Sequence, residues 1–230
     1  MDLSVIVDNF RYFMVGLWPE GPLQGAAITA ILSLTSGALS AVVGIVFGIM
    51  LACCPRWARI IIVPILGFFR SIPIAMLIFV VYFVLPKLVG VHGTTPPMLT
   101  ITLSLGTVGG AYLAYSVAAG INSIPKGQWR AGKALGLSWL QVMRHVILPQ
   151  ALPRMLPSFV NQWVSLIKDT SLAYIISTAD LTFLARQVSN TVMTQPAVIY
   201  LFVALIYFIC CSLLDVLAAG LRKTLSGKTV

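Results

Sequence analysis

Charged residues are scarce in this sequence, and acidic residues are the scarcest among them. Only 9% of the 230 residues are charged, 15 basic side chains stand against 6 acidic ones, and 59% of the chain is hydrophobic. Soluble domains carry about 25% charged residues, so this composition excludes a soluble globular protein. The basic residues flank apolar segments, so we assign the net charge of +9 to membrane orientation rather than to nucleic-acid binding. We therefore expect a protein that crosses a membrane several times.

The sequence also lacks the clusters of reactive side chains that enzymes and metal sites need. It has two isolated histidines, no paired acids, and no Gly-x-x-x-x-Gly-Lys-Ser/Thr loop that could cradle nucleotide phosphates. The four cysteines form two neighbouring pairs within or beside apolar runs, which favours small apolar fillers over a disulfide or a metal site. We expect no catalytic residue, metal or cofactor in this chain, so the energy for any transport must come from a partner or an ion gradient.

Long apolar stretches are what the sequence does contain. A span needs roughly 20 residues to cross the hydrocarbon core, and the stretches predict an all-α, multi-span membrane protein with five spans, at about 23–52, 60–85, 98–120, 146–167 and 196–221. Residues 1–22 have the mixed aromatic and charged composition of a periplasmic or interfacial segment and show no signal peptide. Residues 222–230 form a basic tail.

Lysine and arginine accumulate on one side of these predicted spans. They cluster at 56–59, 126–144 and 222–228. By the positive-inside tendency these segments face the cytoplasm. Five crossings then place the N-terminus outside and the C-terminus in the cytoplasm.

Two of the spans carry small residues at every fourth position. The first span has Ser40, Gly44 and Gly48, and the third has Gly106, Gly110, Ala114 and Ala118. Small faces of this kind let helices approach closely in lipid. We expect them to pack within this chain rather than to form a dimer face.

Arg70 is the unusual residue of the second stretch, which also contains Pro64 and Pro73. Either residues 60–70 lie along the membrane surface and the span proper begins near Ile72, or Arg70 faces a polar path inside the protein. A charge in mid-bilayer costs at least about 2.5 kcal/mol, which favours the first alternative.

The fourth span has proline at every fourth position and ends in two ionisable residues. Pro149, Pro153 and Pro157 remove backbone donors, and the freed carbonyls must be met by protein or water, so this segment belongs in the bundle interior or at an aqueous path. Lys168 and Asp169 follow between apolar runs. An ionisable pair at membrane depth indicates function, with a structural ion pair or an interfacial cap as the alternative.

Three stretches resemble the permease subunits of ABC importers for polar amino acids. The segment with Gly127-Gln128, Ala131, Ala134-Leu135-Gly136 and Ile147-Leu148-Pro149 is similar to the family's cytoplasmic coupling loop. The run Ile167-Lys168-Asp169-Thr170-Ser171-Leu172 matches the family's run completely. Phe69-Arg70-Ser71-Ile72-Pro73 resembles its Arg-Gly/Ser-x-Pro segment, and the serine variant favours the glutamate/aspartate branch. The resemblance covers about residues 24–221.

The resemblance implies a five-span, type I permease domain over residues 23–221 in a bacterial inner membrane, importing a polar amino acid, with glutamate/aspartate the closest guess. It implies two cytoplasmic ATPase subunits that bind ATP and Mg, a second permease subunit and a periplasmic amino-acid-binding protein. The expected coupling helix contains Gln128, Trp129, Arg130, Ala131, Lys133, Ala134, Leu135 and Gly136. The expected substrate path contains Arg70, Tyr115, Lys168, Asp169, Thr170 and Ser171, with Asp169 facing the substrate ammonium and Lys168 its carboxylate.

The chain departs from the family pattern at several positions. The coupling motif has Arg130 in place of its glutamate and Gly132 in place of its second alanine, and the family's Ala-Tyr-x-x-Glu run has Tyr115 and then Ala118 where charges are expected. We predict that Arg130 and Lys133 meet acidic residues on the ATPase. We also predict that the chain is the less ligand-engaged half of a heterodimer. An ion-coupled secondary transporter or channel, and a scaffold without transport, are the alternatives.

Overall fold

A computed structural model describes residues 4–193 and 195–226, with side chains up to residue 220, and within these residues the fold is all-α. The α-helices are α1 Ser4–Val15, α2 Ala26–Cys53, α3 Arg56–Ser71, α4 Ile74–Phe79, α5 Leu85–Leu88, α6 Pro97–Asn122, α7 Lys126–Ala134, α8 Trp139–Val142, α9 Leu148–Asp169, α10 Leu181–Val192 and α11 Pro196–Ser226. One π-turn, Val80–Val84, joins α4 to α5, and another, Met143–Ile147, joins α8 to α9. A 3-10 helix, Thr170–Ile176, follows α9. The side chains of the predicted tail 222–230 lie outside the described residues.

The helices differ in how well they suit a bilayer. α2, α6 and α11 are each long and apolar enough to cross a membrane, and α3 with the segment Ile74–Leu88 would add a fourth crossing if this bent pair is one broken span. α9 takes the place of the predicted fourth span. Its 22 residues extend about 33 Å, but Arg154, Lys168 and Asp169 make it more polar than the others.

The centre of the fold is the parallel pair of α2 and α6, and it depends on small residues. A Cβ added at Gly44 would lie 2.5 Å from the Leu113 Cβ, and one at Gly48 would meet Val117. Gly106 of α6 packs against Leu39 of α2, and Gly110 packs against Val43. Both side chains lie too close to leave room for a Cβ on the glycine. The prediction that the small faces pack within the chain is confirmed, because each face holds larger side chains of the other helix.

The second predicted span is broken at Ile72 and Pro73. Ile72 is extended with φ −75° and ψ 134°, as expected before proline, and Pro73 begins α4. The axes of α3 and the following helical segment differ by 102°. The break agrees with a span that begins near Ile72, and α3 buries Ile62 and Leu66 next to α6 on the other side of the break.

A polar corner joins α10 to the rest of the bundle. Asp180 is fully buried and its carboxylate accepts hydrogen bonds from the Thr182 and Phe183 N–H groups, which caps α10. The Tyr207 hydroxyl of α11 donates to the same carboxylate at 3.4 Å, and Thr29 of α2 accepts from the Leu181 N–H at 3.1 Å. Burial raises the pKa of Asp180 to about 6, against the lowering effect of these hydrogen bonds.

Candidate functional site

The segment between α6 and α9 folds into a short helix, α7, held at one end of the bundle. Pro125 precedes α7 at its N-cap, where a missing N–H costs nothing. Arg154 of α9 donates to both the carbonyl and the hydroxyl oxygen of Ser123 at 2.9 Å, which ties the start of this segment to the bundle. At the other end Gly136 has φ +76°, and the Leu137 N–H donates to the Gly132 carbonyl at 3.2 Å. This left-handed C-terminal turn explains why glycine stands at position 136.

One side of α7 packs tightly against the start of α8 and the π-turn. Gly132 is buried, and a Cβ there would lie 2.7 Å from the Val142 Cγ2. The Trp129 ring stacks on Trp139 with centroids 6.5 Å apart. The departure from alanine at position 132 therefore has a packing reason, since even one methyl group would collide with α8.

Most of the predicted coupling residues are exposed. Trp129 is half-buried, whereas the remaining seven are exposed: Gln128, Arg130, Ala131, Lys133, Ala134, Leu135 and Gly136. Leu135 is 79% exposed at the end of the helix, with Lys133 in the last turn. This side of α7 therefore presents Lys133 and Leu135 away from the helix bundle.

A polar cavity of about 390 Å³ lies between α4, α6 and α9 and contains the predicted ionisable pair. Lys168 and Asp169 line it together with Tyr112, Gln162 and Ser165, and apolar residues and Gly109 complete its wall. The cavity extends about 10 Å along α9, from Gln162 to Asp169, at 1.5 Å per residue. A Cβ added at Gly109 would lie 2.7 Å from the Ser40 Oγ and 3.1 Å from the Gln162 Nε2, so a larger residue here would displace these side chains.

Arg70 does not line the cavity but packs against two tyrosine rings next to it. Its guanidinium carbon lies 4.6 Å from the centroid of Tyr115 and 5.0 Å from that of Tyr112, which are cation–π distances. The Tyr112 hydroxyl also donates to the Arg70 carbonyl at 3.2 Å. Since Tyr112 and Gln162 mark the end of the cavity nearer to α7, Arg70 and its two tyrosines lie next to that end.

The remaining predicted path residues lie beside the cavity rather than on its wall. Thr170 is buried and donates to the Ile167 carbonyl at 2.6 Å, and Ser171 is half-buried at the start of the 3-10 helix. The sequence analysis missed Tyr112, Gln162 and Ser165 as wall residues. For two of them a signal was present, because positions 162, 165 and 169 have the helical spacing that places residues on one face.

A bundle of apolar helices around a polar cavity, with an exposed helix docked at one end, defines the membrane-spanning subunit of a transporter. The chain belongs to the family described as the inner membrane component of binding-protein-dependent transport systems, whose sequence profile matches residues 44–227. It is thus a multi-pass inner-membrane permease, in a family that works with an ATPase and a substrate-binding protein.

Several relatives are named as permeases of amino-acid transport systems. The probable glutamine ABC transporter permease GlnM of Bacillus subtilis is 31% identical over 209 residues, covering 91% of each chain. The L-cystine transport system permease TcyB of the same organism is 32% identical over 192 residues, covering 80% of this chain and 81% of the relative. The glutamine transport system permease GlnP of Escherichia coli is 33% identical over 201 residues, covering 83% of this chain and 90% of the relative.

The fold has a close counterpart among solved structures. The crystal structure of an amino acid ABC transporter with histidines superposes with a TM-score of 0.81 at 22% identity, covering 97% of this chain and 99% of that one. This superposition shows the fold, and the family match with the relatives above establishes a permease of an amino-acid ABC importer. The predicted glutamate/aspartate preference is not supported, because the relatives above are named for glutamine and L-cystine.

Proposed function

We propose that this permease imports a polar α-amino acid in an ATP-driven cycle and that the cavity at Lys168 and Asp169 is its substrate path. The observation that carries the proposal is one cation and one anion side by side on the wall of a 390 Å³ cavity, a volume typical of small-molecule sites. An amino acid presents a carboxylate and an ammonium on one carbon. Lys168 would bind the first and Asp169 the second, each through a charge-assisted hydrogen bond.

The rest of the wall favours a neutral polar side chain on the substrate. Tyr112, Gln162 and Ser165 offer neutral donors and acceptors, which suit an amide such as that of glutamine. A glutamate or aspartate side chain would need a second cation. Arg70 is the nearest candidate, but its guanidinium is placed against the Tyr112 and Tyr115 rings.

We further propose that the exposed side of α7 is the contact with the ATPase. Leu135 would insert into an apolar pocket of the partner and Lys133 would pair with an acid at its rim. Arg130, which the sequence also predicted for this contact, lines a separate cavity beside α8 and is left out of it. α7 packs against Val142 of α8 at Gly132, and its Gln128 accepts a hydrogen bond from Gln150 of α9. Arg154 of α9 holds Ser123, just before α7. A push on α7 would therefore reach the cavity along α9, which carries both Arg154 and Asp169.

The partner permease is proposed to be a different chain. Ala118 packs against α2 and α3, and Arg70 covers the Tyr115 ring. At both positions where the family has a charged residue, this chain therefore has a side chain that packs against its neighbours. Charged residues at these positions in a second permease would make that subunit the more ligand-engaged half. Robust transport by this chain as a homodimer would contradict this.

Uptake by the reconstituted importer tests the proposal. Vesicles that hold all subunits should accumulate radiolabelled glutamine only with ATP at the ATPase side, and unlabelled glutamine should compete better than unlabelled glutamate. Asp169→Asn should reduce uptake while the subunits still co-purify. Uptake that persists without ATP would contradict the ATP-driven cycle, and equal competition by glutamine and glutamate would contradict the preference for a neutral side chain.

A further inference from the structure

A second cavity, of about 540 Å³, lies beside α7 and plays no part in the substrate path. Its wall is formed by the last residues of α2 and α6 and by the helices that follow α6: Ala52, Cys53, Ile121, Asn122, Ile124, Lys126, Trp129, Arg130 and Trp139. The helices that meet here end at Cys53 and Asn122, and both are long and apolar enough to cross a membrane. The cavity therefore lies where two membrane spans end.

The charge in this cavity is of one sign. Lys126 and Arg130 stand one helical turn apart on α7 and both line it. Arg59 donates to the carbonyl of Ala52, a wall residue, at 3.2 Å, which places a third cation near the rim. The sequence has no acidic residue between Glu20 and Asp169, so no acid of the surrounding segments neutralises these cations. The cavity is suited to an anion.

Apart from Asn122, the rest of the wall is apolar or aromatic. Ile121 and Ile124 are 2% and 3% exposed, and Trp129 stacks on Trp139 beside them. Tryptophan is typical of the boundary between membrane and water. A carboxylate from a partner protein would use the cations alone, whereas a lipid presents its phosphate and the start of its acyl chains together. The combination of cations and an apolar wall at a membrane boundary favours the lipid.

We propose that this cavity binds the phosphate group of an anionic membrane lipid, held by Lys126 and Arg130. The guanidinium offers two parallel donors to the phosphate oxygens, and juxtamembrane cations are attracted to anionic lipids. The lipid would sit directly against α7. The position of this helix, and with it the coupling to the ATPase, would then depend on the anionic lipid content of the membrane.

Cys53 provides a reporter inside the cavity, because it is exposed on the wall. The complete importer, with Cys54, Cys210 and Cys211 replaced by alanine, is placed in vesicles of phosphatidylcholine with and without phosphatidylglycerol. The rate at which a water-soluble maleimide labels Cys53 is then measured. Phosphatidylglycerol should slow labelling about tenfold or more, since the two cations together raise its affinity by about 25-fold. The double substitution K126Q/R130Q should remove this protection, since each cation near an anionic surface contributes about fivefold in affinity.

Arg144→Gln is the matched control, because Arg144 is an exposed cation of the same segment that does not line the cavity. It should leave the protection of Cys53 unchanged. Three results would overturn the proposal: equal labelling rates with and without phosphatidylglycerol; full protection by inorganic phosphate in phosphatidylcholine vesicles, which would indicate a soluble anion; or loss of the ATPase from K126Q/R130Q in phosphatidylcholine, which would assign these cations to the subunit contact instead.

Discussion

The close approach of α2 and α6 makes a quantitative prediction at Gly48. A Cβ added there would collide with the Val117 Cβ and lie 2.9 Å from the Ala114 carbonyl oxygen, so both a side chain and a backbone atom must move. Overpacking of this kind costs about 1–3 kcal/mol, and replacing glycine by alanine within a helix returns about 0.5–1 kcal/mol. The difference is about 0–2.5 kcal/mol, so Gly48→Ala should destabilise the permease by about 1 kcal/mol.

The same substitution at Gly67 should have the opposite sign. Gly67 lies within α3, and no heavy atom stands within 4 Å of the position of its added Cβ. Only the helix gain of about 0.5–1 kcal/mol remains there. For a domain of this size about 1 kcal/mol shifts Tm by roughly 2–4 °C, so Gly48→Ala should melt a few degrees below the wild type and Gly67→Ala slightly above it.

Thermal unfolding of the detergent-purified permease, followed by its helical circular dichroism signal, measures both variants. The comparison is informative because both substitutions add one methyl group to a helix. If Gly48→Ala were as stable as Gly67→Ala, the two helices would not be in the close contact described here, and the small-residue faces would have another role.

Three further predictions concern the sites. Leu135→Asp should reduce ATPase co-purification at least tenfold, since a buried interface anchor is worth about 2 kcal/mol or more, while Leu88→Asp, equally exposed at the opposite end of the fold, should leave it unchanged; equal losses would contradict the assignment of α7. Asp169→Asn should lower uptake by about 10-fold or more, because a hydrogen bond to a charged group contributes about 1.5–3 kcal/mol; normal uptake would remove Asp169 from the substrate path. The pKa of Asp180, raised to about 6 from 3.8, means that this carboxyl favours the folded state when protonated. Its contribution of about 3 kcal/mol is present below pH 4 and is lost as the pH rises through 6, so unfolding measured from pH 4 to 7 should show a steeper loss of stability in the wild type than in Asp180→Asn.

Some features of this protein follow from the sequence alone, because they depend on neighbouring residues. Hydropathy over some 20 residues identified the long apolar helices, and the four-residue spacing of glycine and serine in α2 identified its packing face. Local motifs predicted α7 and the Lys168–Asp169 pair. These signals are local, since helix periodicity, the conformational freedom of glycine and insertion into lipid are each decided within one segment.

Other features were decided only by the tertiary structure, because they depend on distances between residues far apart in the chain. The sequence could not show that Arg70 lies against Tyr112 and Tyr115, since α3 and α6 meet only after the bend at Pro73. It could not show that Cys53 and Arg130 share one cavity, because α2 and α7 meet only where the spans end. Which polar side chains face each other is set by how the helices pack, and that packing belongs to the whole bundle rather than to any one segment.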